Sequence, residues 1–145
     1  METECERNEG VKGVREIKFR VWDKLKKRYV QDEDYYCIES DGTLSEIDWN
    51  ETCRKLNPDD FEVELYTGLR DLSGKEIYEG DIHTFDRMHF AVRWGHFVDD
   101  DSHSEMYGWH VGDSEGSGRL DASASDYINI VGNIRENPEL LEVIK

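Results

Sequence analysis

Histidines and aspartates are the residues of this sequence whose types and spacing could do chemistry. Four histidines recur every seven residues, at His89, His96, His103 and His110. A run of three aspartates, residues 99–101, lies between the middle two. A seven-residue repeat aligns side chains on a helix, but the glycines and the alternating apolar residues of this stretch indicate strands and loops. On strands and loops the spacing has no geometrical meaning.

A metal site is the most specific chemistry that these residues could support. Imidazole and carboxylate groups suit zinc or manganese, and the candidate ligands are His96, Asp99, Asp101 and His103. The alternative interpretation is that the aspartates form a solvated loop and that the histidines are edge residues that titrate near neutral pH. The sequence favours this alternative, because nothing in the spacing requires the four side chains to converge.

Other catalytic and cofactor motifs are absent from the sequence. It contains no glycine-rich phosphate loop, no dinucleotide fingerprint and no Gly-x-Ser-x-Gly nucleophile elbow. The cysteines Cys5, Cys37 and Cys53 lack the paired spacing of metal or redox motifs and are predicted to be reduced thiols. We assign no catalytic and no cofactor-binding residue, and we expect no cofactor. A non-enzymatic function is favoured, although carboxylates that pair only in space leave an enzyme open.

Charge divides the chain into a short basic segment and a long acidic body. The net charge is -16, but residues 11–28 hold eight basic and two acidic residues, a charge of +6. Because the first ten residues carry -3, residues 29–145 carry -19. An acidic body repels phosphate, so binding to duplex DNA is not expected. The basic segment is interpreted as a strand whose Lys and Arg side chains face acidic neighbours across a sheet.

Short strands separated by tight turns dominate the hydrophobic pattern. The predicted strands begin near Ile17, Tyr29, Tyr35, Leu44, Phe61, Ile82, Phe90, Met106 and Tyr127. Gly42 and Gly74 mark tight reversals, and Asn137 and Pro138 begin a terminal helical turn. No apolar stretch is long enough for a membrane helix or a signal peptide, so a cytoplasmic protein without a membrane partner is expected.

Three segments lack a clear strand pattern. Residues 48–60 fit either a short helix or a loop. Residues 95–104, which hold the aspartate run, and residues 112–124, which are rich in Gly, Ser and Asp, are predicted to be surface loops.

Three other segments resemble the YopX family of phage and prophage proteins. They are residues 15–23, 66–82 and 131–141, and their order and spacing match the family. The middle segment is the most specific, since it is a string of 17 residues with three glycines. His83 follows it where an apolar strand residue is expected. The resemblance implies a mainly β phage or prophage protein, in a family without an established activity, and it supplies no site residue.

These observations predict one domain over residues 15–145, preceded by a loose tail over residues 1–14. The expected fold is mainly β, with a small SH3-like barrel over about residues 61–134, an N-terminal β-hairpin region and a short C-terminal helical turn. The tryptophans are expected in the core or at a subunit interface, with a base-stacking platform as the alternative. They are Trp22, Trp49, Trp94 and Trp109.

The predicted function is a non-catalytic, self-associating interaction domain. Its expected partners are further copies of the chain in a homo-oligomer and an unknown host or phage protein. One alternative is an acidic inhibitor that imitates DNA and occupies a host nucleic-acid-binding protein, because the body of the chain is strongly negative. Another is a metal-dependent enzyme that acts on nucleic acid or nucleotides through the histidine and aspartate loop.

Overall fold

The fold is mainly β, as the sequence predicts. The computed structural model describes residues 16–31, 35–112 and 117–142. Within these ranges the chain forms twelve strands in three antiparallel sheets, one turn of α-helix and one 3-10 turn. No helix in the described ranges is long and apolar enough to cross a membrane. The predicted tail over residues 1–14 lies outside the described residues.

The predicted N-terminal hairpin belongs to a four-stranded sheet with the order β2-β1-β6-β7. Its strands are β1 (Phe19–Asp23), β2 (Arg28–Tyr29), β6 (Phe61–Arg70) and β7 (Glu76–Tyr78). Arg20 on β1 pairs with Glu64 on β6, and Lys24 Nζ lies 3.0 Å from the Glu62 carboxylate. The prediction that a basic strand faces acidic neighbours across a sheet is therefore confirmed.

Strand β6 buries a face that sequence rules would leave in water. Its alternation separates two faces, but Glu64 is buried whereas Leu65 beside it is exposed. A carboxylate is costly to bury unless hydrogen bonds and opposite charges satisfy it. The Glu64 carboxylate accepts hydrogen bonds from Arg20, Tyr29 and Arg135. Burial of this face follows from those partners and not from apolarity.

The second hairpin forms a separate three-stranded sheet with the order β3-β4-β5. Its strands are β3 (Tyr36–Ile38), β4 (Leu44–Ile47) and β5 (Cys53–Lys55). Gly42 has a φ of 88° in the turn between β3 and β4, the left-handed conformation that favours glycine. Strand β5 lies within residues 48–60, where the sequence left a helix or a loop open. Its three residues are all exposed, so no apolar alternation marks it.

The third sheet has five strands in the order β11-β10-β9-β8-β12. These are β8 (Asp81–Phe85), β9 (Met88–Val98), β10 (Glu105–Gly112), β11 (Ser117–Arg119) and β12 (Ile130–Asn133). The predictions of surface loops over residues 95–104 and 112–124 are therefore partly wrong, because each segment contains part of a strand. Strand β9 extends to Val98 because it pairs with Glu105 of β10, and β11 pairs with the end of β10. Backbone ladders of this kind need no apolar alternation.

The main core lies against the five-stranded sheet, which curls into a half-barrel. It includes buried residues from both larger sheets and from α1 (Ala124–Tyr127). These residues are Ile77, Val92, Val111, Leu120, Ala124, Ile128 and Ile130. The predicted C-terminal helical turn is confirmed as a 3-10 turn over Pro138–Leu141. The predicted mainly β fold, with its N-terminal hairpin and terminal turn, is confirmed, and the small SH3-like barrel predicted over about residues 61–134 is seen as a curled half-barrel sheet.

Candidate functional site

A cluster of aromatic side chains is exposed on the hairpin formed by β9 and β10. Trp94 pairs with Trp109 across the two strands, and His96 pairs with Tyr107. The Trp94 ring lies 5.0 Å from the Trp109 ring and 5.8 Å from the Tyr107 ring, edge to face in both cases. Trp94 is 52% exposed and Tyr107 is 73% exposed. We call Trp94, Tyr107 and Trp109 the aromatic ladder.

The aromatic ladder continues a face of the hairpin that begins in the core. Val92 and Val111 form the next pair inward on this face, and both are buried. On the opposite face the rings of Phe97 and His110 stack 4.5 Å apart and are buried. The hairpin is therefore anchored by its inner end and its other face. Large apolar groups that are exposed on such a paired backbone are typical of an interaction surface.

The four predicted metal ligands all lie at the distal end of the same hairpin. His96 is on the ladder face, with Nε2 3.4 Å from Glu105 Oε1. Asp101 and His103 are exposed in the turn that follows β9, and His103 has a φ of 58°.

Asp99 differs from the other candidate ligands because its side chain is buried and accepts hydrogen bonds from within the turn. Its Oδ2 accepts hydrogen bonds from Ser102 N at 3.1 Å and from Ser102 Oγ at 2.8 Å. These bonds to the charged form lower the pKa of Asp99. The carboxylate therefore closes the turn after β9.

The structure thus places His96 at the end of β9 and the other three candidates in the turn that follows it. Across residues 16–31, 35–112 and 117–142, no group of three or more His, Cys, Asp or Glu side chains could hold a metal ion. A metal site in this loop stays a prediction. The remaining histidines of the seven-residue repeat are separated, since His89 lies on β9 and His110 is buried on β10. Of the three cysteines predicted to be reduced, Cys37 and Cys53 are free, and Cys5 lies outside the described residues.

A pocket opens beside the five-stranded sheet, with a cavity volume of about 250 Å³. Its apolar lining comes from Phe85, Phe90, Val111, Tyr127 and Ile128. Its polar lining includes His83, Arg119 and Asp100. Apolar walls with a few polar groups are typical of small-molecule sites. The sequence assigned no pocket, because β8, β9, β11 and α1 all contribute to it.

His83 is the polar group that burial affects most strongly in this pocket. It occupies an inward position of β8 and is only 5% exposed. Its Nδ1 accepts a hydrogen bond of 2.9 Å from the backbone N–H of Asn129. The Asn129 carbonyl lies farther from Nδ1, at 3.4 Å, and it could accept only from a protonated Nδ1. Burial lowers the pKa of His83, which favours a neutral ring. Because Nδ1 accepts the Asn129 hydrogen bond, the proton of the neutral ring lies on Nε2.

The sequence already marks position 83 as unusual, because a histidine stands where an apolar strand residue is expected. What the sequence could not supply is its partner, because Asn129 lies 46 positions away along the chain.

These features define a small, mainly β protein with an exposed aromatic hairpin and a histidine-lined pocket. The family model described as "YopX protein" matches residues 18–142. The chain therefore belongs to the YopX family. A search of curated proteins gives no match. Among solved structures, the chain is similar to the crystal structure of protein EF1440 from Enterococcus faecalis. That similarity has 23% sequence identity, covers 89% of this chain and 100% of the other, and has a TM-score of 0.47.

Proposed function

We propose that this chain is a non-catalytic interaction domain that associates with a second copy of itself through the aromatic ladder. The observation that carries the proposal is the exposure of Trp94 and Tyr107 on a strand pair whose other face buries Phe97 and His110. Tyr and Trp are the residues that most often supply binding energy at interfaces, because they bury a large area at a low cost in conformational entropy. In the setting implied by the family resemblance, this domain acts in the cytoplasm during phage or prophage growth.

The polar groups beside the ladder favour a second copy over a partner of one charge. His96 and Glu105 lie 3.4 Å apart at the edge of the ladder, so the surface holds both a donor and an acceptor. A two-fold interface brings a surface against itself, and a surface with both kinds of group is complementary to its own copy. The acidic remainder of each chain opposes this association at low salt, so apolar contact must supply the attraction.

Sedimentation velocity tests this proposal on the full chain across the micromolar range. We expect the wild type to form dimers or larger assemblies, and the double variant Trp94→Ser with Tyr107→Ser to sediment as a monomer. Trp49→Ser is the matched control, because Trp49 is 85% exposed in the turn between β4 and β5, on a different sheet. This control should sediment like the wild type. A monomeric wild type, or a double variant that still assembles, would contradict the proposal.

The two alternative functions stay predictions, and each has its own test. A DNA-imitating inhibitor would hold its basic partner through carboxylates, so the complex would weaken with salt and would not need Tyr107. A metal-dependent enzyme would bind a divalent ion through residues such as His96 and His103. Metal analysis of protein purified without a histidine tag, with a His96→Ala variant as the control, tests that function.

A further inference from the structure

The pocket around His83 combines an apolar interior with aromatic side chains at its opening. Val111 and Ile128 are buried in the core cluster behind it. Phe85 and Tyr127, which line the same pocket, are 66% and 42% exposed. Their rings lie 6.5 Å and 6.3 Å from the His83 ring. Aromatic rings in this position offer flat surfaces on which another planar ring can stack.

His83 contributes to this pocket a ring nitrogen, Nε2, that the described residues leave without a hydrogen bond. Its Nδ1 is occupied by the Asn129 N–H, but Nε2 makes no hydrogen bond with any residue in the described ranges. His83 lines the pocket, and Nε2 lies on the side of the ring away from the Asn129 contact at Nδ1. A neutral His83 therefore presents an N–H donor to a ligand in a largely apolar cavity.

The charges at the pocket are balanced. Arg119 and Asp100 are both lining residues, so one basic and one acidic residue border the pocket. The Arg119 Nε atom also lies 3.9 Å from Asp99 Oδ1. A phosphate or other polyanion would meet Asp100 and a chain with a net charge of -16. A neutral ligand that both accepts and donates hydrogen bonds fits this lining better.

The volume limits the size of the ligand. Pockets for drug-sized molecules usually measure about 300–1,000 Å³, and this cavity holds about 250 Å³. One planar ring system fits in that space, but an attached sugar would have to extend out of the opening.

We propose that this pocket binds a neutral heteroaromatic base of the nucleobase class, with the base inside and any attached ribose outside. His83 Nε2–H donates to a carbonyl oxygen or a ring nitrogen of the base. Asp100 accepts from a base N–H, and Phe85 and Tyr127 supply stacking surfaces. This site is independent of the aromatic ladder, so either proposal can fail without the other.

Titration by NMR tests the proposal with the four ribonucleosides as probes and free ribose as the control ligand. We expect at least one nucleoside, and not ribose, to bind with a millimolar or lower Kd and to shift the side-chain signals of His83 and Tyr127. His83→Phe keeps a ring but removes the Nε2 donor, and it should weaken binding by about tenfold, which corresponds to one hydrogen bond.

A second variant keeps the test decisive if His83→Phe does not fold, since that change also removes the acceptor for Asn129 N–H. Phe85→Ala truncates an exposed side chain and should weaken the same nucleoside by several-fold. Met88→Ala, at a position that is also exposed and does not line the pocket, is the matched control and should bind like the wild type. The absence of binding by every nucleoside, or equal binding by wild type and Phe85→Ala, would overturn the proposal.

Discussion

Arg20 Nη2 lies 2.9 Å from Asp81 Oδ1. This contact joins β1 of the four-stranded sheet to β8 of the five-stranded sheet. The same guanidinium donates through Nε to Glu64 at 2.8 Å. Its flat faces lie against the rings of Tyr29 and Tyr78, at 4.8 Å and 4.9 Å. The Arg20 guanidinium thus pairs with two buried carboxylates and packs against two aromatic rings.

This contact is also where the three segments that resemble the YopX family come together, although they are distant in sequence. Arg20 belongs to the first segment and Asp81 to the second. The third contributes Arg135, whose Nε donates to Glu64 at 3.2 Å. The three segments therefore meet at one buried ion network. Arg20, Asp81 and Arg135 each contribute a charged group to it, and the network holds the two larger sheets together.

Removing the Arg20 guanidinium should strongly destabilise the fold. Arg20→Met leaves the buried carboxylates of Glu64 and Asp81 without their shared cation, and loss of one partner from a buried pair typically costs about 3–5 kcal/mol. Lys24→Met is the control, because Lys24 pairs with Glu62 near the surface, where an ion pair contributes about 1 kcal/mol or less. Urea unfolding measures both. Equal losses in the two variants would show that Arg20 has no special role.

Gly80 should tolerate substitution less well than Gly74, although both have a positive φ. Alanine at either position costs about 1–2 kcal/mol in the left-handed conformation. A Cβ at Gly80 would also lie 2.8 Å from Glu64 Oε2, whereas a Cβ at Gly74 meets nothing within 4 Å. Because Glu64 is held by Arg20, Gly80→Ala should lose about 1–3 kcal/mol more than Gly74→Ala in free energy of unfolding. A difference near zero would contradict the packing described for Glu64.

Stability should depend on pH through His83. Burial lowers its pKa in the folded state below the ordinary value of about 6.5. As the pH falls below about 6.5, the unfolded chain binds a proton that the folded chain refuses, so His83 destabilises the fold progressively until the folded-state pKa is passed. Chemical denaturation from about pH 8 to about pH 5 should therefore show a steeper decline for the wild type than for His83→Gln. Parallel curves for the two proteins would contradict a buried neutral His83.

Local patterns predict much of this fold and little of its buried polar chemistry. Alternating residues locate β1 and β6 because side chains in a strand alternate between faces. Gly42 and Gly74 mark turns because each has a φ near 85–88°. Strand β5 is missed because its three residues are all exposed. Burial of Glu64 is missed because its partner Arg20 lies 44 positions away.

Of the two candidate sites, the sequence could indicate part of the aromatic ladder but not the pocket. The aromatic ladder was within reach of sequence reasoning, since Trp94 and Trp109 were expected in the core or at a subunit interface. Their pairing required the register of β9 and β10, which the predicted loop over residues 95–104 obscured. The pocket at His83 is assembled from segments distant in sequence, so no single segment could reveal it.

Sedimentation equilibrium of the wild-type chain at low and high salt tests self-association through the ladder most directly. Each copy carries a charge of -16, and raising the salt from about 50 mM to about 500 mM screens the repulsion between copies while leaving apolar contact intact. Association should therefore be tighter at high salt, and Trp94→Ser with Tyr107→Ser should abolish it at both. A wild type that stays monomeric under both conditions, or that associates less tightly as salt rises, would contradict the account.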